Sequence, residues 1–359
     1  MVSRLLSIII PTYNESENIV PLVGQIAAAL KGYDYEVVFV DDNSADGTAE
    51  TIERLSAGYP VRVIVRRDEK GLASAVVHGI NNSRSEYVLV MDADLQHPPE
   101  VIPALIEKAR TGVDVVIASR YVAGGGCQDW GLVRRIISRG ALGLAHLFLP
   151  ATRPVNDPMS GFFMFNRRVV DGVALKPAGY KILLEVLMEG KIVSAAEVPF
   201  IFVNRRGGES KLNARQQIEY LKHLYSLMRR TGELVRFFKF CLVGLSGVLV
   251  NLGILWILTE FGGLPYQASA VISIEASIIS NFILNDYFTF PQRRIPGIRH
   301  FFNRLWKFNV VSLAGAAINY GILMLLTEVA GVYYIVSQLI GIIVATLWNY
   351  MVNTSWTWR

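Results

Sequence analysis

Val329–Trp358 is a run of 30 residues without a single Asp, Glu, Lys or Arg. A helix that crosses a bilayer needs about 20 mostly apolar residues, so this run has few other uses. Two more charge-free runs of 20 residues, Phe240–Thr259 and Phe308–Thr327, precede it. Gln267–Asn285 is apolar apart from Glu275. The sequence therefore predicts four membrane spans. Composition agrees: of 359 residues 18% are charged and 52% hydrophobic, where a soluble chain carries about 25% charge. Disorder is excluded by the same numbers. Two cysteines, Cys127 and Cys241, exclude a disulfide framework and any multi-cysteine zinc or iron–sulfur site. Near the start, Ser7–Pro11 is too short an apolar run for a signal peptide and reads as a strand.

The positive charges set an expected orientation. After Phe238, Lys and Arg occur only before the first span (Lys239), between the second and third (Arg293, Arg294, Arg299, Arg304, Lys307) and at Arg359. The other two connections carry Glu260 and Glu328 and no Lys or Arg. The positive-inside rule then puts both termini and the front half on the cytoplasmic side.

The membrane half is also a tandem repeat. Shifted by 68 residues, 236–290 lies on 304–358 with 21 identities in 55 ungapped positions, among them Asn251 on Asn319, Asn281 on Asn349 and Asn285 on Asn353. Each unit holds two spans, so the copies run parallel rather than inverted. The paired asparagines serve either as polar contacts between helices or as functional groups. Glu275 has Ile343 as its counterpart and is either a bundle-facing buried carboxylate or a lipid-handling residue.

Residues 1–235 hold most of the charge. Short apolar runs at 5–10, 36–40, 62–65, 87–91 and 113–119 alternate with helical patterns at 15–30, 49–57, 72–81 and 99–111. Such a series predicts a mostly parallel sheet covered on both faces. Ligands of these sheets sit beyond the carboxyl ends of the strands. Polar clusters follow three strands there: Pro11-Thr-Tyr-Asn-Glu15, Asp41-Asp-Asn-Ser-Ala-Asp-Gly-Thr48 and Asp92-Ala-Asp-Leu-Gln96. The net charge is +5 and the pI about 9.1, which suits phosphates or an anionic membrane surface. Nucleic acid fits the sign, but no nucleic-acid-binding motif is present. Acids concentrated at strand tips of a basic chain have a reason if Mg²⁺ or Mn²⁺ links them to a diphosphate. If Asp92–Gln96 is extended, alternate side chains share a side, and Asp92, Asp94 and Gln96 face one ion. A solvated turn with capping aspartates is the plainer alternative.

At these residues the chain resembles the inverting glycosyltransferases of family 2, with a GT-A α/β fold, and within them the dolichol-phosphate mannose synthases. The resemblance runs almost without a gap over 5–212 and rests on an ordered set: Ile10–Glu15, Val40–Ser44, Gly71-Leu72, Asp92–Pro99, Ser119-Arg-Tyr121, Arg134–Gly140, Asp157–Phe162, Gly179–Ile182 and Asn204–Lys211. The four-span tail resembles GtrA-like membrane proteins. The organisation implied is a GT-A catalytic domain over 1–212, amphipathic interfacial helices over 213–238, and an all-α four-span domain over 239–359 built of two tandem hairpins.

The resemblance implies transfer of mannose from GDP-mannose to dolichyl or another polyprenyl phosphate, with inversion. It places nucleotide-sugar contacts on Pro11, Tyr13, Glu15, Val40, Asp42, Asp92, Ala93 and Asp94, and a Mg²⁺ or Mn²⁺ ion on Asp92, Asp94 and Gln96. It places the lipid phosphate on Arg120, Arg134 and Ser138, and a loop closing over the diphosphate at Arg205 and Lys211. Asp92, Asp94, Arg120 and Arg205 would be the catalytic set. The chemistry is coherent. A lipid phosphate has its second pKa near 6 and is already anionic at neutral pH, so no strong general base is required. His97, followed by Pro98-Pro99, reads as a packing or helix-start residue, and Glu185 as a structural or sugar-contacting carboxylate. Two other functions fit the same features: a polyprenyl-phosphate glucosyltransferase using UDP-glucose, and a tail that moves the product across the bilayer instead of only anchoring the enzyme. Oligomeric state is not legible.

Overall fold

The computed structural model describes residues 5–128, 130–176, 179–203 and 214–359. It divides into two compact units, Met1–Leu227 and Met228–Arg359.

The first unit alternates β1 (Leu6–Thr12), α1 (Ser16–Ala29), β2 (Tyr35–Asp41), α2 (Thr48–Leu55), β3 (Val61–Val65), α3 (Leu72–Asn81), β4 (Tyr87–Val90), α4 (Ile102–Arg110) and β5 (Val115–Ser119). Then follow β6 (Gly126–Cys127), α5 (Leu132–Phe148), β7 (Phe163–Asn166), α6 (Ile182–Glu189), β8 (Ala195–Pro199), β9 (Ile201–Phe202) and α7 (Ala214–Arg230). Seven strands form one sheet in the order β3-β2-β1-β4-β7-β5-β8, and β6 pairs with β9. All neighbours in the large sheet are parallel except β7, which is antiparallel to both β4 and β5.

The buried strands have helices on both faces, as expected for near-continuous apolar runs. Ile8 and Ile10 of β1 point to one face and pack with Ile19, Leu22 and Ile26 of α1 and Leu105 of α4. Ile9 points to the other and packs with Val76 and Ile80 of α3 and Leu183 and Val186 of α6. Gly79 lets α3 approach this closely, because a Cβ there would overlap the Ile9 side chain.

Chain direction in the sheet decides where the site forms. β1 leads outward through β2 and β3 on one side and β4 adds on the other, so a crevice opens between the ends of β1 and β4. Because β7 is reversed, the segment before it, Asp157–Phe162, arrives at the same edge as the carboxyl ends of β4 and β5. The sequence reading missed that contribution.

The second unit has four helices: α8 (Glu233–Glu260), α9 (Tyr266–Leu284), α10 (Ile298–Met324) and α11 (Tyr334–Val352). With the π-helical turns that end the last three, all four are long and apolar enough to cross a membrane. The 68-residue repeat reappears in the packing. α8 buries Phe240, Val243 and Gly247, and α10 buries Phe308, Val311 and Gly315, the same three repeat positions. α9 and α11 bury Ser269 and Ser337, and Phe282 and Tyr350. The π-turns Asn285–Thr289 and Asn353–Thr357 are also repeat equivalents. The Asn281 amide sits on Gly247 and the Asn349 amide on Gly315, each filling the space a Cβ would take. Glu275 is not buried, contrary to one of its two readings. Its Oε1 accepts a hydrogen bond from Asn309 Nδ2 (2.7 Å) on an exposed face of the unit. At one end of the helices Asp286 is fully buried and accepts from Arg304 Nε (2.8 Å) and Nη2 (3.1 Å) and from the Trp358 indole (2.9 Å).

Candidate active site

A cavity of about 560 Å³ lies at the carboxyl edge of the sheet in the first unit. Glu15 after β1, Asp92, Asp94 and Gln96 after β4, Arg120 after β5, and Arg134 and Ser138 of α5 all line it. Lys181, Trp130 and the α7 side chains Gln216, Gln217 and Tyr220 complete the wall.

The segment after β4 is not extended. Leu95 has φ +62°, in the left-handed region, and the Gln96 N–H donates to Asp94 Oδ1 (3.2 Å). A tight turn, rather than strand alternation, therefore brings Asp92, Asp94 and Gln96 to one cavity. The Asp92 N–H donates to His97 Nδ1 (3.0 Å), which fixes the proton of the neutral ring on Nε2. His97 stacks on Phe162 (5.2 Å) and meets the edges of Phe200 and Phe202. Burial, with Arg120 and Lys181 nearby, pushes its pKa down to about 4, so the ring stays neutral near pH 7.

Two carboxylates and an amide are hard oxygen donors. Asp92 is about a third exposed, at 36% of its side chain. Gln96 Nε2 donates to the Val203 carbonyl (2.9 Å), so a cation would meet this amide at Oε1. Among the described residues no three His, Cys, Asp or Glu side chains cluster as a metal cage. The set fits Mg²⁺ or Mn²⁺, which takes only one or two protein carboxylates and completes its shell with phosphate and water.

Arg120 is held in place. Its Nε and Nη2 donate to the two oxygens of Asp157 (both 2.8 Å), and its backbone N–H donates to Asp157 Oδ2 (3.1 Å). Burial alone would depress the guanidinium pKa, but the bonds and charge of the fully buried Asp157 raise it overall. Arg134, one helical turn before Ser138, stacks on the Trp130 indole at 4.3 Å. Ser138 Oγ is 2.8 Å from the Tyr121 hydroxyl. Arg135 and Arg139 lie on the outer face of α5, exposed beside Leu132, Val133 and Ile136.

The other expected nucleotide contacts do not line this cavity. The Val40 side chain is packed in the core, so only its main chain could reach a ligand. Ala93 is buried, Pro11 is half-buried at the end of β1, and Tyr13 is exposed with Lys70 Nζ 4.9 Å over its ring. Asp42 is buried and its carboxylate is already engaged. Oδ1 accepts from Arg66 Nε (2.8 Å) and Oδ2 from the Gly71 N–H (2.7 Å). That pair ties the end of β2 to the loop before α3. Asp41 likewise accepts from Thr12 and from the Ser44 hydroxyl and N–H, and so shapes its own turn. Arg205 and Lys211 lie outside the described residues.

Arg66, Asp157, Trp130 and Lys181 were not among the expected site residues. Asp157 and Lys181 belong to segments of the ordered motif set, and Arg66 follows β3 directly. Trp130 gives no sequence signal. Lys181 Nζ donates to the Met159 carbonyl (3.1 Å). Burial first, and then Arg120, push its pKa down to about 8, against the pull of Asp92 and Asp157. Glu185 is fully buried and 3.1 Å from His223 Nε2, away from the cavity wall.

The glycosyl transferase family 2 model matches residues 7–173, and the GtrA/DPMS transmembrane domain model matches 239–358. The dolichol-phosphate mannosyltransferase of Pyrococcus furiosus is 46% identical over 352 residues, covering 98% of this chain and 99% of that one. The Saccharomyces cerevisiae enzyme of the same name is 39% identical over 234 residues, 62% of this chain and 86% of that one. Two of the solved structures that share the fold each have a TM-score of 0.51. Glucosyl-3-phosphoglycerate synthase of Mycobacterium tuberculosis has 19% identity and covers 63% of this chain and 80% of its own. Mannosyl-3-phosphoglycerate synthase of Rubrobacter xylanophilus has 21% identity and covers 64% and 76%.

Proposed function

Since the chain belongs to the dolichol-phosphate mannosyltransferases of glycosyl transferase family 2 and is an integral membrane protein, we propose that it moves mannose from GDP-mannose to dolichyl or polyprenyl phosphate with inversion at the anomeric carbon. The observation that carries this reading is that two kinds of group share one cavity. The oxygen donors Asp92, Asp94 and Gln96 line it together with Arg120, Arg134 and Ser138, groups able to bind a phosphate. A divalent cation at the first group would stabilise the diphosphate as negative charge grows on it. At the second group, the two arginines and the serine would orient the anionic acceptor. Arg120, fixed by Asp157, is pre-aimed, which lowers the reorganisation that attack would otherwise require. Glu15 would meet the donor, and Pro11, Tyr13, Val40, Asp42 and Ala93 would shape its nucleotide end through main chain and packing. The exposed Leu132, Val133 and Ile136 beside Arg135 and Arg139 give α5 an apolar and basic surface suited to lipid headgroups. Arg205 and Lys211 would close on the diphosphate.

The test is a panel of nucleotide sugars offered to the full chain with polyprenyl phosphate. Transfer from GDP-mannose alone supports the reading, and preferential transfer from UDP-glucose refutes the donor assignment.

A further inference from the structure

We infer that Lys181 is a catalytic residue whose ammonium holds the acceptor phosphate where it meets the sugar, between Arg120 and the Asp92 carboxylate. The inference rests on the cavity being the site of transfer to a lipid phosphate.

Three observations converge on it. First, the turn 157–161 organises both kinds of group in the cavity. Asp157 fixes Arg120, the Met159 carbonyl takes the Lys181 ammonium, and Gly161 makes room for Asp92, whose Oδ2 would lie 3.2 Å from a Cβ there. Second, Lys181 is placed rigidly. It stands just before α6, whose first residues Ile182, Leu183 and Leu184 are buried in the core. Third, its ammonium is only partly engaged by the protein, which offers it the Met159 carbonyl and the Tyr180 ring 5.0 Å from Nζ. Among the described residues no carboxylate lies within ion-pair distance of Nζ, and Met159 is its one hydrogen-bond acceptor. Arg120, by contrast, gives Nε and Nη2 to Asp157, and the Arg134 guanidinium lies over the Trp130 ring, so each brings less of its charge to the cavity. An ammonium has three donors, so two can serve an anion in the cavity.

The chemistry needs a cation at this point and no base. A phosphate oxygen of the acceptor forms a bond to the anomeric carbon. The bond from that carbon to the β-phosphate oxygen breaks, and its electron pair leaves with the nucleoside diphosphate. No proton moves. A dianionic acceptor becomes a monoanionic diester, and the leaving diphosphate gains the charge. Two anionic groups must thus approach one carbon from opposite sides. A lysine at the attacking phosphate offsets their repulsion, where a carboxylate would add to it.

Full-length protein in detergent, as wild type, Lys181→Met and Lys181→Arg, provides the test. A soluble prenyl phosphate, citronellyl phosphate, is titrated without donor and followed by ³¹P NMR. GDP-mannose binding with Mn²⁺ and thermal midpoints are measured alongside, and transfer kinetics follow. A lost charge-assisted hydrogen bond corresponds to roughly 10- to 100-fold. Lys181→Met should weaken the prenyl phosphate and lower kcat/KM for the acceptor by about that factor, with donor affinity and thermal midpoint near wild type. Lys181→Arg should restore part of both. Prenyl phosphate binding by Lys181→Met as tight as wild type overturns the inference and leaves the proposed function standing. A parallel loss of donor binding and thermal midpoint also overturns it, because Lys181 then only braces the turn. If wild type binds the phosphate but transfers no mannose, the donor assignment fails while the lysine's role stands.

Discussion

His97 shows how one buried side chain couples the site to pH. Its folded pKa lies near 4, below the usual 6.5. Between those values the unfolded chain binds a proton that the folded chain does not, so stability rises with pH across that window. The stabilisation is complete above about pH 6.5 and is lost as pH falls toward 4. It amounts to roughly 3 kcal/mol at 1.36 kcal/mol per pKa unit. The thermal midpoint of the full chain should therefore fall from pH 6.5 to 4.5, and His97→Asn, which keeps an acceptor for the Asp92 N–H, should flatten that slope. An unchanged slope would mean that other groups govern it. Asp94 gives a second prediction at this scale. Chelation should abolish transfer and Mn²⁺ or Mg²⁺ should restore it, while Asp94→Ala should lose several orders of magnitude with either ion. Full activity in excess chelator would show that the oxygen set holds no essential metal. Asp92, Asp94 and Gln96 are legible in the sequence because acids after a buried parallel strand need a reason. Asp157 and Lys181 escape that logic. One precedes an antiparallel strand and the other precedes a helix, so neither stands where the rule about strand ends directs attention.

Among the elements, the parallel strands and their helices are legible because long apolar runs alternate with amphipathic ones. β7 is not, since Phe163–Asn166, three apolar residues and an asparagine, carry no mark of direction. Its reversal is settled by neighbours on both sides in the sheet, a tertiary fact. The membrane hairpins are the opposite case, where the repeat itself foretells packing. Gly247 and Gly315 are repeat equivalents beneath asparagine amides, and Gly253 and Gly321 are repeat equivalents with nothing within 4 Å of an added Cβ. Gly247→Ala and Gly315→Ala should each destabilise by about 1–3 kcal/mol through overpacking. Gly253→Ala and Gly321→Ala should be neutral or slightly stabilising, since alanine favours a helix over glycine by up to about 1 kcal/mol. Thermal midpoints of the four variants in detergent decide the matter. Equal shifts at all four sites would show that the asparagines do not set the helix separation. The same contrast bears on the asparagines' two readings, because a functional polar group would alter activity without altering these midpoints.

At the scale of the molecule the open question is which side of the membrane each end of the helices faces. The second unit gathers its cations at one end. Arg236 and Arg293 pair with Glu233, and Arg294 and Arg304 pair with Asp286. Lys239, Arg299, Lys307 and Arg359 stand outside those pairs. Orientation follows the count of Lys and Arg near the span ends rather than net charge, so the internal pairing does not weaken the signal. The opposite end has Glu260 and Glu328 and no Lys or Arg. Exposed aromatics mark both ends, with Tyr287, Trp306 and Trp356 near the cations and Phe261, Tyr266, Tyr333 and Tyr334 at the other. This distribution predicts a cytoplasmic basic end, with the front unit on the cytoplasmic side by chain continuity at Glu233. Single cysteines at Phe261, Val329 and Ile298, in a background with Cys127 and Cys241 replaced by serine, would report it. All three sites are exposed, at 74%, 78% and 78%. An impermeant maleimide applied outside intact cells should label Phe261→Cys and Val329→Cys, and should label Ile298→Cys only after permeabilisation. The reverse pattern would put the basic end outside and leave the cavity without a cytoplasmic nucleotide sugar. Labelling of Phe261→Cys and Val329→Cys from opposite sides would instead break the parallel hairpin repeat, because two-span units must return the chain to the side it left.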